Sequence, residues 1–131
     1  MSTKLSSHLD APRTAFITDR NEDVLRFAQS CISAGSGVAL ATLVEVQGGS
    51  ARALGAQMAI TDQGLYCGFV SGGCTEAAVA AEAVAAIEKR MDRFLRLGVG
   101  SPFFDIRLPC GGSINIAIHV VDDVGPIETV L

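Results

Sequence analysis

Four residues, Ser71-Gly72-Gly73-Cys74, join an apolar strand-like run, Leu65 to Val70, directly to a helix-like run that opens at Thr75. A strand that passes through paired glycines into a helix is a building unit of α/β domains. The missing Cβ of Gly72 and Gly73 lets backbone N–H groups approach a ligand closely. The turn also opens a helix, whose unpaired N–H groups and positive dipole end suit phosphate or another anion. Cys74 falls on that first turn, where the same field favours thiolate over thiol. The motif returns in mirror image as Cys110-Gly111-Gly112-Ser113. The chain therefore offers an anion cradle with a reactive sulfur beside it.

The flanking sequence predicts the scaffold. Residues 1–18 are polar and mixed, a flexible N-terminal arm or an edge segment, and 19–131 form the domain. Asp19 followed by Glu22 resembles a capping box, opening a helix to about Ala34 with Val24, Phe27, Ala28 and Cys31 on one face. Gly35 and Gly37 end it, and Cys31 reads as a buried small hydrophobe. Val38 to Val46 reads as a central strand. It runs into Gly48-Gly49-Ser50-Ala51-Arg52, where Arg52 is the only basic residue between positions 27 and 88.

Gln57 to Thr61 and Leu65 to Val70 flank Asp62-Gln63-Gly64, a hairpin with Gly64 at the positive-φ position and Cys67 packed inside its second strand. A helix is predicted from Thr75 to Leu95, with Ala77, Ala80, Val84, Ile87 and Met91 on one face. Glu76 near its start and Lys89, Arg90, Arg93 and Arg96 near its end complement the dipole. Phe104 to Leu108 reads as a short strand and Ser113 to Val121 as a longer one. There the isoleucines alternate with Asn115, Ala117 and His119, which makes His119 a half-exposed strand residue. The expectation is a single α/β domain: a mixed β-sheet packed by two main helices, with Gly-rich loops at the sheet edge.

Composition excludes several classes of function. The 131 residues, 49% of them hydrophobic, suffice for a core without disulfide staples. A net charge of −4 and the absence of Trp argue against a nucleic-acid binder. The apolar stretches are too short or too interrupted to span a bilayer, and no signal-peptide core opens the chain, so cytoplasm is the expected location. The cysteines at 31, 67, 74 and 110 form no C-x-x-C pair, and His8 and His119 lie far apart; a structural zinc site is not expected.

Three Gly-bearing loops are each expected to follow a strand and to converge at one sheet edge. Together they would supply the Arg52 guanidinium, backbone donors, one helix N-terminus, two thiols and Glu76. That set suits a phosphorylated ligand with a soft centre, because thiolates prefer soft metals while amides and Arg take phosphate.

Gly49-Ser50-Ala51-Arg52 with Gly55-Ala56-Gln57-Met58, then Gly68-Phe69-Val70-Ser71-Gly72-Gly73-Cys74-Thr75-Glu76, then Leu108-Pro109-Cys110-Gly111-Gly112 resemble the N-terminal domain of the XdhC/CoxI family. The likeness covers roughly residues 22 to 121. Two departures stand out: Ala51 occupies the place of the family's usual Pro, and no Rossmann-like C-terminal domain follows.

The resemblance implies a maturation chaperone that binds the molybdenum cofactor (molybdopterin) as cargo. Such a chaperone protects the cofactor during sulfuration by a cysteine desulfurase and assists its insertion into an apo molybdenum hydroxylase of the xanthine or carbon monoxide dehydrogenase type. It implies a cofactor-binding set of Gly49, Ser50, Arg52, Ser71, Gly72, Gly73, Cys74, Glu76, Cys110, Gly111 and Gly112, with Cys74 meeting the metal. A separate Rossmann-domain subunit and a homo-oligomer are further expectations. Two alternatives remain open: a persulfide-carrying sulfur transferase in which Cys74 or Cys110 is catalytic, and a non-catalytic nucleotide- or phosphate-binding regulatory domain.

Overall fold

The computed structural model describes residues 12–47, 54–70, 75–98 and 113–121. Strand β2, Val38–Gln47, is the axis of the sheet. It pairs antiparallel with β3, Gln57–Thr61, on one side and with β6, Ser113–Val121, on the other. Strand β4, Leu65–Gly68, runs antiparallel to β3, and β1, Arg13–Phe16, adds to it in parallel. Strand β5, Arg93–Gly98, forms the other edge beside β6. The order is β1-β4-β3-β2-β6-β5, a mixed sheet with helices α1, Asn21–Ser33, and α2, Glu76–Lys89.

Alternation along the strands divides the core between the helices. Ala39, Ala41, Leu43, Met58, Ile60, Leu95, Leu97, Ile114, Ile116 and Ile118 meet Val79, Ala80, Ala83 and Ala86 of α2. Alanines on the helix let it lie close to the sheet, and each buried Ile contributes about 1.5–3 kcal/mol. On the opposite face Val38, Ala59 and Cys67 meet Val24, Leu25 and Ala28 of α1. That helix lies mainly over β2, β3 and β4, and Val121 at the end of β6 packs against the same cluster.

The Asp62-Gln63-Gly64 hairpin forms as expected, with Gly64 at φ 85°. Cys31 and Cys67 both belong to the α1-side core. Helix α1 ends within one residue of its predicted end: Gly35 takes φ 96°, its N–H reaches Ile32 O at 2.9 Å, and Ser36 N–H reaches Cys31 O at 2.9 Å. These two bonds are a Schellman closure.

Two local expectations need correction. The start of α1 is organised by Thr18, not by a capping box. Its Oγ1 accepts the Arg20 N–H at 3.1 Å and donates to Asp23 at 2.8 Å, while Glu22 pairs with Arg20 and Arg26. The second helix does not run to Leu95. It stops at Lys89 because Arg90 turns left-handed at φ 55°, and Arg90 N–H and Met91 N–H bond back to Ile87 and Ala86. Met91, placed on the helix face by spacing, is instead 63% exposed. Residues 93–98 become strand β5, so Arg93 and Arg96 are not helix-end charges; Arg93 reaches back to Glu82 of α2 at 2.9 Å. Of the two readings of residues 1–18, the edge segment holds for 13–16, which form edge strand β1, whose Arg13 N–H donates to Gly64 O at 3.0 Å. The short strand expected at 104–108 lies outside the described residues.

Candidate functional site

Strands β2 and β4 are both antiparallel to β3 and therefore run the same way, while β6 runs against β2. Hence β2 and β4 end, and β6 begins, at one end of the sheet. The residues flanking the three Gly-bearing segments are Gln47 and Leu54, Val70 and Thr75, and Ser113. Gly49, Ser50, Arg52, Ser71, Gly72, Gly73, Cys74, Cys110, Gly111 and Gly112 themselves lie outside the described residues.

The described chain at this end is tightly fixed. Gly55 N–H donates to Leu43 O at 2.8 Å and Leu43 N–H to Ala56 O at 2.9 Å, closing the base of the excursion that carries Arg52. Asn21, at the start of α1, donates through Nδ2 to Gly55 O at 2.8 Å and accepts Gln57 N–H at 3.2 Å. Gly68 ends β4 at φ 83°, and a Cβ there would lie 2.3 Å from Gln57 O and 2.7 Å from Val24 Cγ2. Only glycine fits this approach of β4 to its neighbours.

Glu76, the one residue of the expected set within the described chain, is 4% exposed and accepts the Val70 N–H through Oε2 at 2.9 Å. It thus joins the two ends of the segment 71–74. Helix α2 starts here at Glu76, and α1 starts here at Asn21, so the positive ends of both dipoles face the same end of the sheet. The arrangement offers fixed strand ends and two helix starts to an anionic ligand.

Sequence reasoning missed a second polar group. Asn115, 5% exposed, donates through Nδ2 to Glu45 Oε1 and accepts Arg96 Nε–H at 3.2 Å. The three stand in register on β2, β6 and β5. The signal was present as an Asn among isoleucines, but alternation alone reads it as an outward residue. His119, by contrast, is an exposed strand residue bonded to Asp92 at 3.1 Å.

The described cysteines are poorly ionised. Burial pushes the Cys67 thiol up to about 12, and burial together with Asp62 raises that of Cys31. Among the described residues no group of three His, Cys, Asp or Glu is placed to hold a metal, and no helix is long and apolar enough to cross a membrane. The concave surfaces lined by Met91, Asp92 and Phe94, and by Phe16, Asp23 and Phe27, contain none of the expected site residues.

Over 124 residues the chain is 50% identical to the molybdenum cofactor insertion chaperone PaoD of Escherichia coli, spanning 95% of this chain and 39% of that protein. A crystal structure of a xanthine dehydrogenase from Bacillus halodurans shares the fold with a TM-score of 0.65 at 21% identity, over 81% of this chain and 33% of that one. The model of the XdhC and CoxI family matches residues 31–98, a span that holds the first two Gly-bearing segments, both ends of the β3–β4 hairpin and all of α2, and the chain belongs to that family.

Proposed function

We propose that this chain captures the molybdenum cofactor as cargo and serves as a maturation chaperone for a molybdenum hydroxylase. The observation that carries this reading is the attachment of all three Gly-bearing segments at the sheet end where both helices begin. Backbone N–H groups of Gly72, Gly73, Gly111 and Gly112, with Arg52, bind the cofactor's phosphate and polar edges. Cys74 supplies a soft donor to the metal, and Cys110 a second thiol beside it. Held so, the cofactor is kept from water while a cysteine desulfurase sulfurates the metal, and is then passed to the apoenzyme. A Rossmann-bearing polypeptide and a second copy of the chain are proposed partners, in the cytoplasm. The name of PaoD supports an insertion role for that relative, of which this chain spans 39%.

The test is purification from a host that makes the cofactor, followed by measurement of molybdenum and pterin per chain. Wild type is expected to retain both, Arg52→Ala to lose most pterin, and Cys74→Ser to lose molybdenum. Retained sulfane sulfur without pterin would establish the sulfur-transferase alternative instead, and a bound nucleotide alone the regulatory one.

A further inference from the structure

Helix α1 carries a second stripe beside the one it buries. Val24, Leu25 and Ala28 face the sheet, while Asp23, Arg26, Phe27 and Ser30 recur at helical spacing on the side that borders edge strand β1. With Phe16 they line an open hollow of about 290 Å³. Phe16 and Phe27 meet edge to face there, with ring centroids 5.7 Å apart. Next to Phe16, Ile17 projects into solvent; at 87% exposure it is the most exposed large apolar side chain among the described residues.

The sheet has two edges, β1 and β5, and they differ in charge. Strand β5 holds Arg93 and Arg96 and follows the exposed Lys89 and Arg90. A two-fold axis at β5 would set like charges against one another, which is how charged edges are protected from pairing. Strand β1, Arg13-Thr14-Ala15-Phe16, has one charge, at its start, and all four residues are exposed. Its register on β4 slips between Thr14 and Phe16, which limits the ladder this edge can offer. Side chains must therefore carry most of any contact made here.

We infer that the β1 edge and this side of α1 form a two-fold interface with a second copy of the chain, Ile17 of each copy seating in the hollow of the other. The inference names the surface for the second copy proposed above, and it stands without the cargo. A two-fold interface needs a patch that is its own complement. Here a projecting side chain lies beside a hollow, and a carboxylate beside a guanidinium. Among the described residues, Thr18 takes Asp23 Oδ2 and Glu22 takes Arg26 Nη2, which leaves Asp23 Oδ1 and Arg26 Nη1 to pair reciprocally across the axis. An antiparallel seam sets the end of one β1 beside the start of the other, and so brings Ile17 toward Phe27 and Ser30 of the copy. Because β1 runs parallel to β4, the same axis turns the two candidate sites to opposite ends of the seam, each open to its own cargo.

The full chain, free of cofactor, is followed by sedimentation velocity across micromolar concentrations at low and high salt. A monomer–dimer equilibrium is expected, weaker at high salt. Ile17→Asp is expected to raise the dissociation constant at least about tenfold while the thermal midpoint measured under monomeric conditions stays put, since the residue is exposed. Phe94→Asp, at the opposite edge, is expected to leave the equilibrium unchanged. A chain that is monomeric throughout, a dimer indifferent to Ile17→Asp, or an equal loss in Phe94→Asp would overturn the proposal. A full chain that stays monomeric while one lacking residues 1–11 dimerises would show that those residues take the edge, and the proposal would be wrong in that case too. No cofactor enters the measurement, so a failure of the chaperone reading leaves the dimer result standing. Wild-type pterin retention in a chain that never dimerises would sink this inference alone.

Discussion

Glu76 accepts the backbone N–H of Val70 at 2.9 Å, so a single carboxylate spans the two ends of the segment that carries Ser71 to Cys74. Both residues are buried, and the carboxylate sits in the first turn of α2, where the helix dipole favours negative charge. A residue whose place in the motif marks it as a ligand group thus also sets the gap that the Gly-Gly turn must bridge.

Replacing Glu76 separates these roles. Glu76→Ala leaves the buried Val70 N–H without this acceptor, a loss of about 1–3 kcal/mol in chemical denaturation. Glu76→Gln keeps an acceptor of the same shape without the charge and costs less. Equal and negligible effects for both would mean that the ends of the segment are held by other groups.

Gly68 is expected to tolerate no side chain. Its φ of 83° is left-handed, and an added Cβ meets backbone at Gln57 O and the side chain of Val24. Gly68→Ala combines strain with overpacking and should destabilise by about 2–4 kcal/mol. Gly35→Ala is the control, because its φ is also positive but nothing lies within 4 Å of the new Cβ. A Gly68→Ala loss no larger than the control's would show that α1 can withdraw from β4 at little cost.

Much of the scaffold was legible because its signals are local. Gly64 fixes the hairpin turn, Gly35 the end of α1, and the isoleucines of β6 its period. The fate of residues 90–98 was not legible, since Ile87, Met91 and Leu95 keep helical spacing through the break and Arg90 carries no breaker signature. Between arm and edge segment the sequence could not decide for residues 13–16, because these four residues take their pairing from β4, far along the chain (Arg13 opposite Leu65). At the candidate site, the sequence pointed to the Gly-bearing segments, and the strand directions bring their flanks to one end. The Asn115 row depends on a bulge in β2 between Leu43 and Glu45 and on three strands far apart in the chain, so no local pattern announces it.

Arg90 marks a place where stability can be gained. It holds the left-handed position that closes α2, which glycine occupies without steric cost. Arg90→Gly is expected to raise stability by up to about 1 kcal/mol, the gain reduced by loss of a charge that suits the helix C-terminus. Thermal denaturation of Arg90→Gly beside Arg90→Ala checks this, since alanine loses the same charge without relieving the backbone. An equal effect of the two would place the contribution in the charge alone.

The cysteines divide by ionisation. Burial holds the Cys67 thiol at about 12 against an ordinary 9.0, and burial with the Asp62 charge raises Cys31. The folded state therefore binds these protons more tightly than the unfolded chain. For Cys67 the stability this provides is fully present below about pH 9 and is lost as pH rises from there toward 12, with a slope of at most roughly 1.4 kcal/mol per pH unit; Cys31, which is only half-buried, contributes in the same direction. Cys67→Ala should flatten that decline while lowering stability at pH 7 by the small cavity it leaves. At pH 7.5 iodoacetamide should label the peptides holding Cys74 and Cys110 well before those holding Cys31 and Cys67, with Cys74 first because it precedes the start of α2 by two residues in the sequence. Early labelling of Cys67 in the folded protein, at a rate no faster in mild urea, would show that β4 opens locally and that burial does not protect its thiol.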